Sequence, residues 1–183
     1  MHYQKLLEQC KRNDGKAQRA LYDHFKQKLM GLCRRYSRCR EDAQDVLQDA
    51  FIKIFARITQ VESHEKLEGW MMAVAVRTAI DHYHKKKREE KCYSEVEFDA
   101  VGIDYELVLE NLGDEQLISL INALPDGCRI VFNLFEVEGY SHSEMAQLLA
   151  ITEGTSRSQL HHAKQLLKQK LKALGVKRYE KLA

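Results

Sequence analysis

The sequence predicts an all-α protein: two small helical domains joined by a flexible acidic linker, the second containing a helix-turn-helix. Three observations lead there. One proline and nine glycines in 183 residues leave long stretches without helix breakers. Apolar residues recur every three or four positions in one segment after another, the period of a helix with one buried stripe. Charge is also distributed unevenly, with ten acidic residues against one base from Glu89 to Glu115, and eight Lys or Arg against two acids from Glu153 to Ala183. A chain of this length makes one medium domain or two small ones, the small ones burying about 60% of their unfolded surface.

Tyr3 to Cys10 suits a short helix, ended by the turn signal Asn13-Asp14-Gly15. A longer helix follows from about Lys16, with Leu21, Phe25, Leu29, Leu32 and Tyr36 on its buried side. A third helix starts near Glu41 and carries the almost unbroken stripe Val46, Leu47, Ala50, Phe51, Ile54, Phe55 and Ile58. The polar stretch "TQVESHEKLEG" reads as a loop or short turn. From Trp70, "WMMAVAVRTAIDHYHKKKREE" begins apolar nearly all round and ends in a block of bases, as a helix does when its first half is buried and its second half is on the surface. Those cations also suit the negative end of the helix dipole.

The acid-rich segment beyond Glu89 loses any sustained period, which places one domain over residues 1–90, the linker over 91–113 and the second domain over 114–183. Glu115 to Leu124 is a short helix. "LPDGCRIVFNLFEVEG" follows, with Pro125 at the first helical position, where its missing N–H costs nothing, and Ile130, Val131, Leu134 and Val137 facing inward. Ser141 three residues before Glu144 is a capping box, so a helix starts there. Thr152 opens another helix after a short turn, and Leu160, Ala163 and Leu167 form its inward strip.

Composition excludes several classes of function. No apolar run approaches the roughly 18 residues that a membrane span needs, and the N-terminal stretch lacks the apolar centre and cleavage site of a secretory signal, so a cytoplasmic protein is expected. Five cysteines form no CxxC pair, which argues for reduced thiols rather than a disulfide framework or a zinc site. No HExxH, nucleophile elbow or glycine-rich phosphate loop is present, so neither an enzyme nor a bound metal or cofactor is expected.

With these segments in place, almost the whole chain resembles the bacterial RNA polymerase sigma factors of the extracytoplasmic-function group. Two blocks carry the resemblance in the right order. The first is "DGKAQRALYDHFKQKLMGLCRRYSRCREDAQDVLQDAFIKIFARI" with "GWMMAVAVRTAIDHYHKKKRE"; the second is "LPDGCRIVFNLFEVEGYSHSEMAQLLAITEGTSRSQLHHAKQLLKQKL". The resemblance implies a first domain that binds core polymerase and the minus-ten element, and a second that binds the minus-thirty-five element. It also implies docking on the beta-prime coiled coil and the beta flap of polymerase, a role in opening promoter DNA, and an anti-sigma factor as a further partner.

Opposite the apolar stripe of the third helix lie Asp42, Asp45, Gln48, Asp49 and Ile52, which the resemblance marks as the polymerase-docking surface. Taken alone, that face reads as merely solvated, with Asp49 and Lys53 at i,i+4 spacing. Arg77, Asp81, His84, Lys85, Lys86, Lys87 and Arg88 match the part that grips the melted minus-ten strand, with Val61 to Lys66 as a base pocket. Single-stranded DNA needs cations for phosphates and flat surfaces for unstacked bases; Trp70 is expected in the core rather than against DNA. On the last helix, Thr155, Arg157, Ser158, Gln159, His161, His162 and Lys164 match the minus-thirty-five readers, with Lys168 on a phosphate. Arginine is the strongest candidate for direct readout, through a bidentate contact to guanine.

The chain departs from the family pattern at three places. Arg77 stands where many relatives carry asparagine, Ala150 occupies a turn where they commonly place glycine, and the His161-His162 pair replaces aromatic or arginine side chains. Two rival readings remain. A stand-alone helix-turn-helix regulator explains only the C-terminal half, and a hydrolase lacks every motif it would need.

Overall fold

The structure is a computed structural model that describes residues 3–92 and 114–173, apart from the side chains of 90–92, 114, 115 and 117. All described elements are helical, and they form two separate bodies. The linker expected over 91–113 and the last ten residues lie outside the described residues, save that 91 and 92 still belong to a helix. No described helix is long and apolar enough to cross a membrane.

The first body contains α1 (Tyr3–Lys11), α2 (Gly15–Tyr36), α3 (Arg40–Arg57) and α4 (His64–Cys92). Asn13 takes the left-handed conformation (φ 61°) that asparagine tolerates, and Asp14 caps α2 by accepting from the N–H groups of Lys16 (2.8 Å) and Ala17 (3.1 Å). The predicted stripes become the core: Leu21, Leu29 and Leu32 of α2 and Ile54 of α3 are fully buried, joined by Leu7 of α1 and Met71 and Ile80 of α4. Each such side chain contributes about 1.5–3 kcal/mol on burial. Trp70, expected in the core, is only partly covered.

The polar stretch before Trp70 is less of a loop than its composition suggests. Ile58–Gln60 forms one 3-10 turn, residues 61–63 connect, and α4 begins at His64. Val61 and Leu67 both turn into the core, so the polar residues between them occupy the outer side of an amphipathic first turn. Lys66 there pairs with Glu62 at 2.6 Å, and His64 bonds Gln4 of α1 at 2.7 Å.

The second body contains α5 (Asp114–Asn122), α6 (Asp126–Phe132), a π-helical turn over Asn133–Val137, α7 (His142–Leu149) and α8 (Glu153–Ala173). Pro125 caps α6 from one position before its first residue, with an extended ψ of 142°. Arg129 is 3% exposed; it pairs with Asp126 at 2.8 Å and donates to the Asn122 carbonyl at 3.3 Å, closing the end of α5. Val137 was expected inward and is instead 48% exposed. The π turn takes one more residue than an α turn, which moves every later side chain around the axis. The wider turn is closed by the Glu138 N–H donating to the Asn133 carbonyl at 3.0 Å.

The capping box at α7 forms as predicted. Ser141 accepts from the Glu144 N–H at 3.3 Å, and the Glu144 carboxylate accepts from the Ser141 N–H at 2.8 Å and from its hydroxyl at 2.7 Å. Those hydrogen bonds, the backbone one foremost, hold the Glu144 carboxyl below the usual carboxylate range. A depressed folded pKa stabilises above the unfolded value and is lost as pH falls through the folded one. Acid titration should therefore weaken the α7 start below the ordinary glutamate range, and Glu144→Gln should remove that acid-dependent component from urea unfolding curves.

Ala150 ends α7 in the left-handed region (φ 53°, ψ 47°), the conformation that makes glycine common at this turn. Its Cβ costs about 1–2 kcal/mol there, partly offset because alanine has less unfolded-state entropy than glycine. Ala150→Gly should raise the stability of the second body by about 0.5–1 kcal/mol in thermal or urea unfolding.

Candidate nucleic-acid interface

On α3, Asp45, Gln48, Asp49 and Ile52 are exposed and Asp42 is partly covered, while Ala43, Val46, Ala50 and Ile54 on the opposite side are buried. Ile52 is 58% exposed, one of two large apolar side chains so exposed among the described residues. It borders an apolar groove of about 490 Å³ between α2 and α3, lined by Tyr22, Met30, Leu47, Gln48, Phe51 and Phe55 among others. The predicted acidic and apolar face is therefore assembled on one side of one helix.

Its acids do not pair along their own helix, however. Asp49 accepts from His82 of α4 at 2.7 Å, and the expected i,i+4 partner Lys53 instead binds Asp81 of α4 at 2.8 Å. Asp42 is paired with Lys86 of α4. These three rungs run in opposite directions along the two chains, so α3 and α4 pack antiparallel. Sequence reasoning missed His82, which lies three residues before the bases 85–88 and has no motif of its own.

The rungs split the predicted minus-ten group. Arg77, Asp81, His84 and Arg88 recur at four, three and four residues and share one face of α4, with Arg77, Asp81 and Arg88 exposed and His84 partly covered. Lys86 turns toward α3 instead, and Lys87 lies over the Tyr83 ring at 5.6 Å. Lys85 is exposed. Of the stretch Val61 to Lys66, Val61 is buried, 64–66 are the first turn of α4, and Glu62, Glu65 and Lys66 are exposed.

On α8, the inward strip is Ser156, Leu160, Ala163 and Leu167. Ser156 was not predicted to be inward: its hydroxyl meets His142 Nδ1 at 2.9 Å, and that ring stacks on Phe135 (centroids 4.8 Å apart), fastening α7 to α8. Among the predicted readers, Arg157, Ser158, His161 and His162 are exposed. Arg157 pairs with Glu153 at 2.6 Å, Ser158 donates to the Thr155 carbonyl at 2.9 Å and His161 bonds Gln165 at 2.9 Å. Thr155, Gln159 and Lys164 are partly covered, and exposed His162 also meets a neighbour. Gln159 packs on Gly127 of α6 so closely that a Cβ there would lie 2.7 Å from its amide nitrogen. His162 Nδ1 lies 3.9 Å from Cys128 Sγ, and burial pushes that thiol's pKa up. Lys164 pairs with Glu136 at 3.1 Å, and Thr155 bonds Thr152 at 2.9 Å.

Comparison with known proteins decides the family. The family descriptions "Sigma-70 region 2" and "Sigma-70, region 4" match residues 21–89 and 114–167, about two thirds of the chain between them. The chain belongs to the sigma-70 family. It is 27% identical to the ECF RNA polymerase sigma factor SigW of Bacillus subtilis, over 95% of this chain and 99% of the relative. It is 28% identical to the ECF RNA polymerase sigma-E factor of Haemophilus influenzae, over 93% of this chain and 96% of that protein. Among solved structures, CnrH in complex with the cytosolic domain of CnrY shares the fold at a TM-score of 0.50 and 18% identity, covering 93% of this chain and 97% of that one. The sigma factor RpoE of Bartonella quintana, solved with the anti-sigma factor NepR, gives 0.50 and 23%, covering 81% and 97%. This extracytoplasmic-function sigma factor directs RNA polymerase in promoter recognition and transcription initiation, and as such it is a non-catalytic subunit.

Exposed ion pairs contribute about 0.2–1 kcal/mol each. The Lys53–Asp81 rung is 35% and 66% exposed at its two side chains, so Lys53→Ala and Asp81→Ala should each shift stability by less than about 1 kcal/mol in urea unfolding. A larger loss would make these rungs part of the fold rather than of a surface open to partners.

Proposed function

We propose that this sigma factor divides promoter recognition between its two bodies, residues 1–90 taking core polymerase and the minus-ten element and residues 114–183 the minus-thirty-five element, with 91–113 as linker. Asp42, Asp45, Gln48, Asp49 and Ile52 dock on the polymerase beta-prime coiled coil, the second body meets the beta flap, and an anti-sigma factor holds the protein inactive in the bacterial cytoplasm. The observation that carries this reading is exposed Ile52, beside Asp45 and Gln48, on a helix whose other face is core. An apolar side chain in an acidic surface fits a docking site better than a solvated face. Arg77, Asp81, His84, Lys85, Lys86, Lys87 and Arg88 hold the melted minus-ten strand, and their binding favours strand opening. Thr155, Arg157, Ser158, Gln159, His161, His162 and Lys164 serve the major groove, with Arg157 reading a base once it leaves Glu153.

Transcription by core polymerase on a genomic fragment library, with and without the purified protein, tests the reading. New start sites sharing two upstream elements support it. A protein that shifts duplex DNA alone and never joins core is a stand-alone regulator instead. Asp45→Arg with Asp49→Arg should abolish core binding while both bodies stay folded, and retained binding would remove that surface from the account. Arg157→Ala should weaken binding to the cognate promoter by about 1–3 kcal/mol. An equal loss on promoters altered at the contacted base pair would show a phosphate role only.

A further inference from the structure

The first turn of α6 meets two of the proposed minus-thirty-five readers at consecutive residues. Gly127 lies against Gln159, and Cys128 Sγ lies 3.9 Å from His162 Nδ1. Gln159 and His162 are three residues apart, so they are neighbours on the flank of α8 that packs on α6. Gly127 is an unexpected residue for its position. It sits inside a helix with no left-handed φ to demand glycine, and glycine is among the costliest residues in a helix. Neither backbone conformation nor helix propensity accounts for it.

The space beside its α-carbon does. A Cβ added to Gly127 would meet Gln159 Nε2 at 2.7 Å, Cδ at 3.2 Å and Oε1 at 3.5 Å. These are the three nearest atoms, and all belong to the amide at the end of one side chain. A glycine that let two helices approach would instead be crowded by backbone. What Gly127 accommodates is therefore the position of the Gln159 amide, a group with two donors and an acceptor. Gln159 is partly covered there, next to buried Leu160 and to exposed Ser158 and His162. An amide displaced from α6 moves toward that exposed row and changes the hydrogen-bonding groups that this flank of α8 presents.

We propose that Gly127 is a specificity-determining residue for the minus-thirty-five element, acting through Gln159. It touches no base itself; it is a positioning residue whose bare α-carbon seats the Gln159 amide against α6. That seat fixes which donors and acceptors stand beside His162, and so which base pairs this flank of α8 prefers. The inference rests on the proposed reading of α8 as the major-groove helix.

The test uses holoenzyme assembled from core polymerase and the full chain, on the promoter fragment mapped by transcription. Each base pair of the minus-thirty-five element is varied in turn, and relative affinity is measured by competition. Gly127→Ala should change the preference at one or two base pairs by about 5-fold or more, the low end of what one side-chain pairing with a base discriminates, and leave the other positions as they are. The urea midpoint of the full chain should hold or rise, because alanine suits a helix better and a terminal amide gives way cheaply. In a Gln159→Ala background, Gly127→Ala should change no preference, since the crowded amide is gone. An unchanged profile for Gly127→Ala overturns the proposal, as does the same change of preference in the Gln159→Ala background. A uniform loss across all base pairs with a lowered midpoint also overturns it and makes Gly127 a residue of the fold. A wild-type holoenzyme indifferent to every base pair of the element overturns the groove reading of α8 itself, a failure visible without any variant.

Discussion

The antiparallel packing of α3 on α4 is the constraint on which the first body's function depends. The two helices pack directly on each other, and small residues are buried on both, Ala43 and Ala50 on α3 and Ala75 and Ala79 on α4. Side chains flanking the contact are brought into reach, and Asp42, Asp49 and Lys53 find Lys86, His82 and Asp81. The same contact places an acidic, partly apolar face on one helix beside a basic end on the other. Two surfaces of opposite sign come from one helix pair.

Magnitudes separate what holds this arrangement from what it offers. The apolar side chains buried in the first body contribute about 1.5–3 kcal/mol each, whereas an exposed ion pair gives about 0.2–1 kcal/mol. The core fixes the helices, and the charges on top can exchange partners at small cost. The same division holds on α8, where Ser156, Leu160, Ala163 and Leu167 anchor the helix and Arg157 makes an exposed pair with Glu153. Gln159 and His162 stand between these classes, pressed against Gly127 and Cys128 of α6, so a groove contact by either would also be felt by α6.

Much of the fold was legible because local rules and tertiary packing agreed. The stripe from Val46 to Ile58, the capping box of Ser141 and Glu144, and the strip Leu160, Ala163 and Leu167 all appear where spacing placed them. The misses occurred where a local rule met a competing interaction. The Asp49–Lys53 spacing was right for a helix pair, but each side chain found a partner across the helix contact. Val137 fits the α period and is exposed because the turn before it is π-helical, which no residue pattern in that stretch announces. The start of α4 was hidden because only Val61 and Leu67 of a polar stretch face the core. Exposed candidates such as Ile52 were readable as opposite to the stripe, whereas His82 and His142 act through contacts to other helices.

Whether the two bodies divide one promoter between them is answered by site-specific cross-linking in the assembled complex. A photoreactive amino acid replaces exposed Gln165 on α8 in one protein and exposed Glu89 near the end of α4 in another. Position 165 should mark promoter DNA around the minus-thirty-five element and position 89 DNA around the minus-ten element, both only when core polymerase is present. Cross-links from both positions to the same segment, or from position 165 to polymerase alone, would contradict it.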